Sequence, residues 1–166
     1  DRVGKSPILL IIPRPAQNKI YQALVANKAD VSAKDSFGDT SLHNATMNKS
    51  DESILDLLIK NGASCNERNK EGITPLAIAV EGANAEQIKY FAAHYADINA
   101  RDNNGRTPLT RAFEHEGILP LLINAENVNM RDSEGNTPLH IALQNNASTS
   151  DIEYLLSVGA DRKSVV

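Results

Sequence analysis

One short phrase recurs in fixed phase along the chain and constrains the fold more than any other feature. It reads Gly38-Asp39-Thr40-Ser41-Leu42-His43-Asn44-Ala45, Gly72-Ile73-Thr74-Pro75-Leu76-Ala77-Ile78-Ala79, Gly105-Arg106-Thr107-Pro108-Leu109-Thr110-Arg111-Ala112 and Gly135-Asn136-Thr137-Pro138-Leu139-His140-Ile141-Ala142, with a worn fifth copy at Gly4-Lys5-Ser6-Pro7-Ile8. The lead glycines at 4, 38, 72, 105 and 135 are spaced 34, 34, 33 and 30 residues apart. A period of about 33 residues predicts a stack of like units, each needing its neighbours to bury its apolar face.

Within each copy the threonine or serine is a helix start. Its hydroxyl can accept from free backbone N–H groups, and proline tolerates the first helical position. Four of the seven prolines, at 7, 75, 108 and 138, fall in this one phase. A second aliphatic cluster at helical spacing follows: Ile20 and Leu24; Ile54, Leu57 and Leu58; Ile88 and Phe91; Leu119, Leu121 and Leu122; Ile152, Leu155 and Leu156. Polar breakers such as Gly82-Ala83-Asn84 and Asn145-Asn146-Ala147-Ser148 divide the two helices, and Ser150 with Glu153 has the spacing of a capping box. Glycines at 62 and 159 can close second helices in the left-handed conformation. A polar loop with one apolar anchor, Val31, Cys65, Ile98 or Val128, completes the unit.

The combined pattern resembles the ankyrin repeat, in which two helices and a β-turn carry T-P-L-H-x-A at a period of about 33 residues. The resemblance spans roughly residues 1–163. It implies an all-α solenoid of stacked helix-turn-helix units with projecting β-turn loops: one domain over 1–166, with repeats near 1–34, 35–68, 69–101, 102–131 and 132–166. It also implies a buried structural hydrogen-bonding role for His43 and His140, and a concave strip that grips a protein or peptide.

Three departures from the pattern bear on geometry. The fourth unit is three residues shorter, carries Phe113 where a small residue is preferred, and ends its second helix in Ala125-Glu126, so it should differ locally. Lys28 and Tyr95 stand where glycine would end a second helix, which means drift at roughly 1 kcal/mol each or a local rearrangement, with drift the favoured reading. The ends carry aliphatic residues, Ile8 to Ile12 before Pro13 and Pro15, and Ile152, Leu155 and Leu156, whereas terminal repeats normally present polar faces. Either more repeats or another partner covers these ends, or the amino-terminal aliphatics lie inward, with a fragment of a longer array the favoured reading; self-association through the ends would make the mass concentration-dependent.

Composition removes several functional classes. With 17 basic against 21 acidic side chains the net charge is −4, without the basic footprint that nucleic-acid phosphates require. The longest apolar run falls far short of the ~18 residues of a membrane span. A single cysteine excludes an intrachain disulfide and fits a reducing compartment, which favours the cytoplasm; a chain beginning at Asp1 without methionine is also compatible with a removed amino-terminal signal.

Candidate chemistry is better read as scaffold. Gly4-Lys5-Ser6 imitates the tail of a phosphate loop but sits in phase with the helix starts and runs into Pro7. His94 and His115 have no cysteine or second histidine at ligand spacing, so no metal is expected. Cys65 takes the loop-anchor position and reads as a small buried hydrophobe. Lys34, Arg68, Arg101 and Arg131 form a basic column, but Asp35, Asp102 and Asp132 follow three of them directly, which suggests a solvated ladder of paired charges. No catalytic residue and no cofactor is expected, and the reading is non-enzymatic.

What remains is a binding surface at the turn tips and the ends of the first helices. The candidates are Phe37, Asp39, Lys70, Glu71, Ile73, Asn103, Asn104, Arg106, Glu134 and Asn136 at the tips, and Met47, Glu81, Glu114, His115 and Gln144 on the helices. Phe37 is the expected anchor, since aromatic residues dominate interface energies; packing against the neighbouring loop is its alternative. Two functions fit: a non-catalytic protein-interaction module for a protein or peptide partner, or the substrate-recruiting or regulatory part of an enzyme whose catalytic domain lies elsewhere.

Overall fold

A computed structural model describes residues 18–165, all helix, turn and loop, with no strand among the described residues. The worn first phrase and the Ile8–Ile12 run lie outside them. The helices are α1 (Asn18–Ala26), α2 (Ser41–Met47), α3 (Glu52–Lys60), α4 (Pro75–Glu81), α5 (Ala85–Ala93), α6 (Pro108–Ala112), α7 (Leu119–Leu122), α8 (Pro138–Gln144) and α9 (Thr149–Ser157), followed by a 3-10 turn at Arg162–Val165.

Two layers result. The first helices pack in sequence, α2 on α4, α4 on α6 and α6 on α8, while α1, α3, α5 and α7 do the same behind them. The phrase explains the front layer. Its leucines, Leu42, Leu76, Leu109 and Leu139, and its final alanines, Ala45, Ala79, Ala112 and Ala142, are all buried. Leucine fills the space between layers, and alanine lets neighbouring helices approach. Ile54, Leu55 and Leu58 of α3 and Ile88 and Phe91 of α5 complete the core, with Val31, Cys65 and Val128 buried beneath the loops. Burying one such aliphatic side chain is worth roughly 1.5–3 kcal/mol.

Thr40, Thr74 and Thr107 cap α2, α4 and α6 by accepting from the amides of His43, Ala77 and Thr110. In the last pair the second-helix cap is two residues earlier than the Ser150–Glu153 spacing indicated: Ser148 accepts from the Asp151 amide at 3.1 Å. Asn146 turns left-handed just before it, so the chain re-enters the helix sooner.

Each projecting tip is closed by one side chain. Oδ1 of Asp35 accepts from the amides of Phe37 and Asp39, Asn69 from Glu71 and Ile73, Asp102 from Asn104 and Arg106, and Asp132 from Glu134 and Asn136, at 2.8–3.0 Å. A left-handed glycine follows two residues before each phrase threonine. At Gly72 that freedom is joined by crowding: a Cβ would lie 2.7 Å from Arg68 Nη2 and 2.8 Å from Asn103 Oδ1 of the next tip. Adjacent tips are tied through backbone, Lys70 N to Phe37 O at 3.0 Å and Asn103 N to Glu71 O at 2.8 Å.

The short fourth unit differs as its sequence indicates. Helix α6 has five residues, and α7 has four with no side-chain cap. An asparagine pair replaces the glycine helix end: Asn127 Nδ2 donates to Leu122 O at 2.8 Å, and Asn124 Oδ1 accepts from the amides of Glu126 and Asn127. Lys28 and Tyr95 do adopt left-handed backbone, φ 59° and 57°, so those ends keep the glycine geometry rather than rearranging.

Candidate functional site

The ends of α2 and α4, the tip residue Ile73 and the side chain of Arg111 from α6 enclose a groove of about 330 Å³. Met47, Ile73 and Ile78 supply its apolar lining, and Lys49, Glu81 and Arg111 its charges. Met47 is 46% exposed although it is a large apolar side chain. The core below is already filled by the phrase leucines, so these residues face outward, and among the described residues none covers them fully.

Arg111 organises one wall. Its Nη2 donates to Asp102 Oδ2 at 2.5 Å and its Nη1 to Glu81 Oε2. The Arg111 and Asp102 side chains are 8% and 3% exposed, Glu81 52%. Burial alone would raise the Asp102 carboxyl, but the Arg106 and Asn104 amides and the Arg111 guanidinium outweigh it and hold the group below the usual carboxylate range. Sequence reading passed over Arg111. Its signal was a charge at the phrase position that reads Asn44, Ile78 and Ile141 in other copies.

His43 ties the groove residue Ile73, on the next tip, to α2. Its Nδ1 accepts from the Thr40 amide at 3.2 Å, so Nε2 carries the proton and donates to Ile73 O at 3.0 Å. Burial pushes this imidazole below its ordinary pKa, with the Ile73 carbonyl opposing in part. Thr110 replaces histidine in α6 and closes on Thr107 alone. His140 repeats the local half of the arrangement on Thr137.

The structure distributes the predicted contact residues unevenly. Met47, Ile73 and Glu81 come together in the groove. Phe37, Lys70, Glu71, Asn103, Asn104 and Glu134 stand exposed on the tips, Phe37 at 67%. Arg106 pairs with Glu114 at 2.6 Å, while Asn136 is half-buried and Gln144 exposed on α8. Asp39 requires correction as an exposed tip residue: it is buried, and its carboxylate accepts from Asn69 Nδ2 at 2.8 Å, joining two tips. His115 is half-buried in the turn before α7, with Nε2 below the surface and no hydrogen-bond partner.

The basic column is also wired differently from the expected ladder. Asp35, Asp102 and Asp132 are engaged in closing tips, so the cations reach across repeats: Lys34 to Glu67 at 2.6 Å, Arg68 to the Arg101 carbonyl, and Arg101 to Glu134 at 2.7 Å. Arg101 also keeps a longer contact to Asp132 at 3.5 Å. Cys65 is buried, and that burial pushes its thiol pKa up, away from nucleophilic reactivity. Among the described residues no cluster of three or more histidine, cysteine or carboxylate groups could hold a metal, and no helix is long and apolar enough to cross a membrane.

A larger cleft of about 630 Å³ lies behind the groove between the starts of α3 and α5. Gln87 separates the two, donating from Nε2 to Ser50 O at 3.0 Å. Ser50 Oγ and Gln87 Oε1 lie below the cleft surface without partners, out of reach of an occupant.

The profile for ankyrin repeats, described as three copies, matches residues 14–102 and 83–164. A putative ankyrin repeat protein of fowlpox virus is 34% identical over 125 residues, covering 70% of this chain and 36% of its own length. Protein PhlB of Serratia liquefaciens is 42% identical over 89 residues, 53% of this chain and 39% of its own. Human neurogenic locus notch homolog protein 1 is 29% identical over 110 residues, 66% of this chain and 4% of its own. The chain thus spans under two fifths of the length of these relatives. With the helix pairs, the capped phrases and the tied tips in agreement with the profile, the chain belongs to the ankyrin-repeat family.

Proposed function

We propose that this chain is a non-catalytic interaction module that holds a protein or peptide along the face formed by its first helices and tips. The observation that supports this most directly is the groove: Met47, Ile73 and Ile78 remain outward although the core is complete without them. Ankyrin repeats are generally protein-interaction modules, and exposed apolar surface rimmed by polar residues marks such sites. Phe37 extends the same face at the neighbouring tip.

Site-specific photo-crosslinking tests the reading. Crosslinkers replacing Ile78 and Phe37 should trap the same partner, and one replacing Glu153 on α9 should not. The partner should be lost with Met47→Glu and Ile73→Glu together, with helicity unchanged. Equal trapping from α9, or capture unaffected by the double substitution, overturns the proposal.

A further inference from the structure

The charges around the groove select its occupant. One guanidinium, Arg111, serves two carboxylates, Asp102 and Glu81, so the cluster carries one unbalanced negative charge. Asp102 is buried and held by tip amides, which places the surplus at Glu81, half-exposed at the groove wall. Arg111 engages Glu81 through Oε2, leaving Oε1 for a second donor. A cation supplied by a ligand would relieve this excess, and an anion would oppose it.

Lys49 provides the opposite charge one repeat away. It lines the same groove, is exposed, and has no ion-pair partner among the described residues. Its backbone is left-handed at φ 53°, held where the chain turns from α2 to α3 by Lys49 N to Thr46 O and Ser50 N to Ala45 O, each 2.9 Å. The ammonium therefore springs from a fixed turn. Met47, Ile73 and Ile78 line the same groove as Lys49 and Glu81, and its volume is at the small end of ligand pockets, suited to a side-chain anchor.

We infer that the occupant is an extended peptide segment carrying an aliphatic side chain between an acidic and a basic residue, the aliphatic group on Met47, Ile73 and Ile78, the basic residue at Glu81 and the acidic residue at Lys49. This rests on the interaction-module reading and adds the chemistry of the partner. Arg111 is not the acidic residue's contact, because two carboxylates of the chain already occupy both ends of its fork.

Fluorescein-labelled synthetic heptapeptides with a central leucine test it by anisotropy. One peptide carries aspartate and arginine two residues either side, in both orders; the controls carry two asparagines, two aspartates, two arginines, or a central glycine. The better-ordered aspartate–leucine–arginine peptide should bind about three- to tenfold tighter than the asparagine control, with the gain shrinking in high salt. Glu81→Gln should remove the arginine contribution, and Lys49→Glu should switch preference from the aspartate to the two-arginine peptide. Equal binding of charged and neutral leucine peptides overturns the charge assignment while leaving the groove intact. Absence of binding by every peptide, with crosslinking from Ile78 preserved, overturns the peptide assignment but not the module. Loss of both overturns both.

Discussion

Arg111 and Asp102 form a buried ion pair, Nη2 to Oδ2 at 2.5 Å, and the same guanidinium reaches back one repeat to Glu81. The contact binds α6 to the preceding helix α4 at the point where the fourth unit is shortest. Removing one member leaves the other charge without its partner, a larger penalty than the pair is worth as a whole.

Arg111→Ala should therefore cost about 3–5 kcal/mol in urea unfolding. Arg106→Ala, which breaks a surface pair with Glu114, should cost less than about 1 kcal/mol. Equal midpoints for the two variants would contradict the special weight given to the buried pair.

Acid should destabilise the fold in two separate windows. His43 is held below its ordinary pKa, so the folded state binds fewer protons than the unfolded chain. Its contribution is complete above about pH 6.5 and is lost as pH falls through the folded value. Asp102 and Asp132 are likewise lowered; their contributions hold above about pH 4 and fade below it. Thermal melts from pH 8 to 3 should show both declines. His43→Gln should flatten the upper one and leave the lower; an unchanged upper decline would assign it elsewhere.

Tyr95 occupies a left-handed helix end with 92% of its surface exposed, so its side chain contributes little packing. Tyr95→Gly should relieve the backbone and stabilise the protein by up to about 1 kcal/mol, offset in part by the greater unfolded-state freedom of glycine. A lower melting temperature would show that the ring contributes more than its exposure indicates.

Equivalent asparagines should behave unequally. Asn66 Oδ1 accepts from the Asp97 amide and Asn129 Oδ1 from the Asp161 amide, both at 2.8 Å, each tying a loop to the next repeat. Asn99 has the same loop position, yet its Oδ1 is buried without a partner, because the corresponding Asn127 amide is turned onto Asn124 within the shortened unit. Asn66→Ala should cost about 1 kcal/mol, and Asn99→Ala much less. A comparable loss at both sites would mean that the ladder is not broken there.

Much of this fold is legible because its determinants are local and repeated. Threonine before proline, or before Ser41 in α2, marks the first helices, a leucine four positions after the lead glycine marks the interlayer contact, and the apolar loop residue marks the anchor that Cys65 fills. The misreadings share a physical origin. Asp39 sits on a tip and reads as solvent-facing, but Asn69 of the next repeat lies over it. Asp35, Asp102 and Asp132 sit beside cations in sequence, but their Oδ1 atoms turn inward to tip amides; Lys34 and Arg101 find partners about one period away, and Arg131 reaches the Gly135 carbonyl of its own tip.

Period and pattern alone determined that this chain stacks helix pairs and that its threonines, prolines, leucines and Cys65 belong to the scaffold, since capping and apolar spacing act within a few residues. Tertiary structure decided which unrepeated residues meet. Lys49, Ile73, Glu81 and Arg111 come from successive turns of the stack, and only the packing of α2, α4 and α6 sets them around one groove. Their proximity depends on the separation of repeats in space, a quantity that no local spacing encodes.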